Sequence, residues 1–108
     1  MPDESRVAAL KEILDVNPDD AFARYALGLE YSTAGETDAA LAEFQRLLAA
    51  HPDYTNGYFM AAQALARAER QEEAKGMLQQ GIECARRTGN QHALSEMEAM
   101  LDELAAGD

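Results

Sequence analysis

Two histidines, one cysteine and a few neighbouring carboxylates are the side chains here that could do chemistry. Their spacing argues against it. Four residues beyond His51 stands Thr55, and four beyond His92 stands Glu96, so no helix presents the paired imidazoles of a zinc protease. Cys84 is the only cysteine, which leaves no disulfide and no paired-thiol redox motif. No glycine-rich phosphate loop and no Gly-x-Ser-x-Gly elbow occurs. Glu72-Glu73 and Glu96-x-Glu98 fall on polar faces, where a solvated carboxylate is the ordinary state. Met77, Met97 and Met100 read as adaptable packing, and Cys84 as a buried thiol. The expectation is therefore a chain that is not an enzyme, with no metal and no cofactor.

Composition narrows the partners. The 108 residues suffice for one small domain with a modest core, and 47% of them are hydrophobic. With 20 acidic against 9 basic residues, the formal net charge is −11. Such a field repels a phosphate backbone and an anionic bilayer alike, so no nucleic acid and no membrane is expected as partner. The acidity serves solubility, a basic partner or life at high salt, and the sequence leaves these three open. Asp3 and Glu4 stand where a leader would carry positive charge, and no run approaches the roughly 18 apolar residues of a membrane span. A cytoplasmic protein is the expectation.

The elements that must position any site emerge from a repeat. Leu27-Gly28 is followed by Tyr31, then Ala40, Phe44 and Pro52. A step of about 34 residues carries Leu27 to Ala61, Gly28 to Ala62, Tyr31 to Leu65, Ala40 to Ala74 and Phe44 to Leu78. The same step backwards carries Phe44 to Leu10, Leu47 to Ile13 and Pro52 to Pro18. Within each segment the apolar residues recur at helical spacing, as in Val7, Leu10, Ile13, Leu14 and Val16. Asn17-Pro18-Asp19 and His51-Pro52-Asp53 end helices, because a residue before proline is driven out of the helical region. Asp3 with Glu4, Asp19 or Asp20, and Thr37 with Asp38 offer N-terminal caps; Gly35 and Gly89 offer left-handed stops. Glu69-Arg70 occupies the turn where Gly35 stood, which predicts a strained or slightly reshaped turn.

This pattern resembles the tetratricopeptide repeat family over nearly the whole chain, with Arg24 where that family often has Trp. The resemblance implies an all-α, short right-handed α-solenoid of about six helices. It comprises a half repeat at 5–16, full repeats at 21–54 and 55–88, and a capping helix at 90–105 that has lost the repeat pattern. It implies a scaffold role for Gly28, Ala40, Ala62 and Ala74. It also implies a concave groove that holds a peptide or helix of an unidentified protein partner. Carried onto this chain, the groove residues are Phe22, Tyr25, Ala26, Leu29 and Thr33, then Asn56, Phe59, Met60, Gln63 and Arg67. Asn90, Leu94, Met97 and Leu101 would extend it. The Asn, Lys and Arg clamp by which family members hold chaperone tails is missing, since Phe22, Ala26 and Met60 fill its slots. Three alternatives stay open. Terminal helices could fill the apolar groove as ordinary core, the same face or the open edge of the first helix could make a homo-oligomer, or the chain could serve as a regulatory or assembly subunit. Arg24 is expected to lay its stem over apolar surface and reach an acid such as Glu43 or Glu36, with Phe22 or Tyr25 supplying the missing bulk.

Overall fold

The structure, a computed structural model, describes residues 1–107, which form six helices and, among those residues, no strand. They are α1 (Glu4–Val16), α2 (Ala21–Thr33), α3 (Thr37–Ala50), α4 (Thr55–Arg67), α5 (Gln71–Thr88) and α6 (Gln91–Ala106). Polar side chains start three of them. Asp3, Asp20 and Asn90 each accept from the backbone N–H three residues on, satisfying a donor that the first helical turn leaves orphaned. The start of α3 differs from the sequence expectation. Its cap is Glu36 with no side-chain bond, because Thr37 already lies in the helix and Asp38 turns outward to Arg70, Nη1 to Oδ1 2.7 Å. Gly35 (φ 79°) and Gly89 (φ 72°) take the left-handed conformation that glycine adopts without strain. Glu69, at the equivalent turn between α4 and α5, is forced to φ 63° with its Cβ in place.

Successive helices pack as antiparallel hairpins. α2 lies against α3 and α4 against α5; α1 touches α2 alone, and α6 leans on α5 and lightly on α4. The stack measures 40 × 30 × 18 Å. Val7, Leu10 and Leu14 bury themselves with Ala23 and Leu27, fastening α1 to α2. Ala40, Phe44 and Leu47 meet Ala61, Leu65 and Ala74 in the middle. Tyr58, Ala62, Leu78 and Ile82 meet Ala93 and Met97 at the far end. Two glycines are compelled by this packing. A Cβ on Gly28 would stand 2.6 Å from Phe44 Cε1, and one on Gly81 would stand 2.5 Å from Met97 Sδ, so neither hairpin closes with a larger residue.

The apolar stripe read along the first helix is not wholly core. Ile13 is 45% exposed and Val16 89% exposed, because no helix flanks α1 on the side away from α2.

Candidate partner-binding face

Tyr25 of α2 packs against α3 and the linker between α3 and α4. Its ring lies 6.3 Å from that of Phe44 and 5.2 Å from that of Tyr54, both tilted. Burial holds its phenol above the usual tyrosine range, and neighbouring Tyr54 adds to this, while a hydrogen bond with Asn56 pulls the other way. Leu29 and Met60 are likewise half-buried against the middle core, and Phe59 against the far one. Phe22 stands apart at 72% exposed, so it does not supply the bulk expected beside Arg24. Ala26 is half-buried beside the α1–α2 core, and Thr33 is exposed with Oγ1 donating to the Leu29 carbonyl at 2.9 Å. Asn56 is exposed and Gln63 half-buried. Arg67 reaches back across the turn to α2, donating to Ser32 Oγ at 2.6 Å.

Not all of these residues share one depression. Phe59 and Gln63 line a hollow of about 400 Å³ with Glu96, Ala99, Met100 and Glu103 of α6. A neighbouring hollow of about 330 Å³ is lined by Gln63, Ala66, Arg67 and Met100. The structure thus brings Phe59, Gln63 and Arg67 together with α6 and leaves Phe22, Tyr25 and Leu29 outside these hollows. The α6 side chains that join them differ from those expected. Met97 is fully buried, Leu94 and Leu101 pack on the far core, and Asn90 caps the helix. Glu96, Ala99, Met100 and Glu103 take the open side instead. A signal for this lay in the sequence at a step of 36: Gly57 to Ala93, Ala61 to Met97 and Leu65 to Leu101. It was hidden because α5 runs to 18 residues where α3 has 14, displacing the next helix by two.

The side chains capable of chemistry are dispersed. Cys84 is 1% exposed, its Sγ 3.5 Å from Thr55 Oγ1 and 3.6 Å from the Pro52 carbonyl. His51 Nε2 donates to the Asp19 carbonyl at 2.6 Å, tying together the two proline turns. His92 lies 3.1 Å from Glu96 on an exposed face. Among the described residues no group of three or more His, Cys, Asp and Glu converges as metal ligands would. Arg24 proves to be held on both sides, with Nη1 2.8 Å from Glu43 Oε1 and Nη2 donating to the Pro18 carbonyl at 2.9 Å. No helix among the described residues is long and apolar enough to cross a membrane.

Known proteins carry the same pattern. A tetratricopeptide repeat model matches residues 31–102, and a second of that description matches residues 2–58. A TPR repeat-containing protein of Pseudomonas aeruginosa is 29% identical over 98 residues, spanning 91% of this chain and 93% of that protein. The solution structure of a tetratricopeptide repeat domain protein from Salinibacter ruber aligns with TM-score 0.78 and 34% identity, over 85% of this chain and 93% of that one. The TPR2B domain of yeast Sti1, solved in complex with pHsp70, aligns with TM-score 0.86 over 94% of this chain and 82% of its own. At 16% identity that likeness is one of fold. With hairpins closed over Gly28 and Gly81, core residues repeating along the stack and family models matching most of its length, the chain belongs to the tetratricopeptide repeat family.

Proposed function

We propose that this chain is a non-enzymatic protein-interaction module that seats a peptide or helix of a partner along the open face of α2, α4 and α6. The observation that carries this reading is the pair of adjoining hollows between α4 and α6, where Phe59, Ala99 and Met100 offer apolar contact. Gln63 and Arg67 offer directional hydrogen bonds at the rim of that contact, and Phe22 adds an exposed aromatic at the other end of the face. Glu96 and Glu103 beside the apolar floor, on a chain of net charge −11, favour an amphipathic segment carrying basic residues. Tyr25, Leu29 and Met60 already spend much of their apolar surface inside the protein. That weighs against a broad apolar interface between two copies through this face, and in favour of a narrower seat for a single segment.

The test is affinity capture from an extract of the source cell, followed by titration with the captured partner's segment as a synthetic peptide. Phe22→Ala and Arg67→Ala together should weaken the peptide by about tenfold or more. If both changes leave the affinity untouched, the partner sits elsewhere.

A further inference from the structure

The two ends of the stack lack opposite halves of one interface. At the first end, α1 aligns with α3 and α5 at the repeat step, so Arg6, Ala9 and Ile13 correspond to Ala40, Glu43 and Leu47. Those α3 residues are 0%, 8% and 1% exposed, because α3 lies between α2 and α4. On α1 the same positions are exposed: Ile13 is 45% exposed, and the Arg6 side chain is 67% exposed although it pairs with Asp3 at 3.1 Å and with Glu30 of α2 at 3.7 Å. At the other end, α6 aligns with α4, so that Glu98 and Leu101 correspond to Ala62 and Leu65, which are 0% and 1% exposed under α5. No described helix covers the equivalent side of α6. A depression of about 670 Å³ runs along it beside α5, with Ile82 and Leu101 among its lining and Glu83, Glu98 and Asp102 as its acidic rim. Arg86, paired with Glu98 at 3.3 Å, is the basic group within it.

We propose that a second copy of this chain lays its α1 into that depression. The α6 of one copy and the α1 of the next would then close a hairpin of the kind that α2 and α3 make within one chain. Three features favour this occupant over an unrelated helix. The exposed positions of α1 are those that α3 and α5 bury in the interior of the stack. An antiparallel hairpin sets the first turn of α1 beside the last turns of α6, which brings Arg6 to Asp102, where the guanidinium is shared between that carboxylate and its own Asp3 and Glu30. Ala9 and Ile13, further along α1, then fall over Leu101 and Ile82. The contact joins two different surfaces, and each copy carries both. It does not close on itself, and mass grows by addition at either end. The few apolar residues and the acidic rim keep it weak, so it operates at high local concentration. The inference is independent of the peptide face proposed above.

The test is light scattering and sedimentation across about 10 µM to about 1 mM protein, a span suited to a weak contact. The expected result for the natural sequence is an average mass that rises past that of a dimer. Ile13→Glu blocks one end and Asp102→Lys the other, and both residues are exposed enough that circular dichroism should be unchanged. Each variant alone should stay monomeric, and an equimolar mixture should form a dimer and nothing larger. A natural chain that stays monomeric throughout overturns the proposal. So does either variant that associates alone as strongly as the natural chain, or a mixture that does not pair.

Discussion

At the scale of single residues, Arg24 shows how one contact decides what a slot accepts. An arginine in a slot that usually takes a bulky apolar side chain suggests that leucine would do as well or better. Of the two acids expected within its reach, Glu43 takes the guanidinium, at 2.8 Å, with the two side chains 16% and 11% exposed. Arg46 also approaches Glu43, at 3.5 Å from the other carboxylate oxygen. Removing Arg24 leaves a desolvated carboxylate with one weaker partner, and leaving a buried charge unpaired is what makes such losses large. Arg24→Leu is therefore expected to cost roughly 1–3 kcal/mol in urea unfolding, softened from a full buried-pair loss by Arg46. Arg24→Leu combined with Glu43→Leu should recover most of it, because two apolar groups replace the pair. A double variant as unstable as the single one would show that packing, not the ion pair, sets the cost.

At the scale of elements, the turns are the most informative. The α2–α3 and α5–α6 turns carry glycine at positive φ, whereas the α4–α5 turn carries Glu69 at φ 63°. An L-residue there loses about 1–2 kcal/mol to contact between its Cβ and the backbone, partly offset by the greater freedom glycine has when unfolded. Glu69→Gly should raise stability by about 0.5–1 kcal/mol, and Gly35→Ala should lower it by about 1 kcal/mol, both read from thermal melts. Equal effects of one sign would mean that the turns are not governed by this angle. The existence of all six helices, and the strain at Glu69, were legible because proline, glycine and apolar spacing act locally. The outward face of α6 was not. Which side of a helix is covered depends on the length of the helix before it, and α5 exceeds α3 by four residues. The Arg24 pair was legible only as a choice of acids, Glu43 or Glu36, since one repeat step does not say which carboxylate the packing brings close. The half-burial of Tyr25 beside Tyr54 could not be read at all, because Tyr54 belongs to the linker between hairpins.

At the scale of the whole molecule, the protein is a short stack in which each helix is held by its immediate neighbours. Its three core clusters overlap at Tyr31, Met77 and Leu104 without merging into one centre. Stability in such a stack is close to a sum of local pieces and the interfaces between them. The interfaces are not equal, since α5 and α6 share a long contact while α1 contributes Val7, Leu10 and Leu14 to one side only. Opening at the α1 end therefore breaks contact with one helix, α2, whereas α6 at the other end holds both α5 and α4.

That inequality becomes visible in time. A helix with a single neighbour can detach while the remainder stays folded, so its backbone amides meet solvent through a local event of low free energy. Amide hydrogen exchange should show α1 exchanging fastest of the six helices, with α4 and α5 approaching the protection set by global unfolding. Uniform protection from α1 to α5 would mean that the stack opens as one unit. If α1 does open first, the helix that hides Ala23 and Leu27 acts as a door on the inner surface of α2. The protein would then spend a measurable part of its life with that surface uncovered.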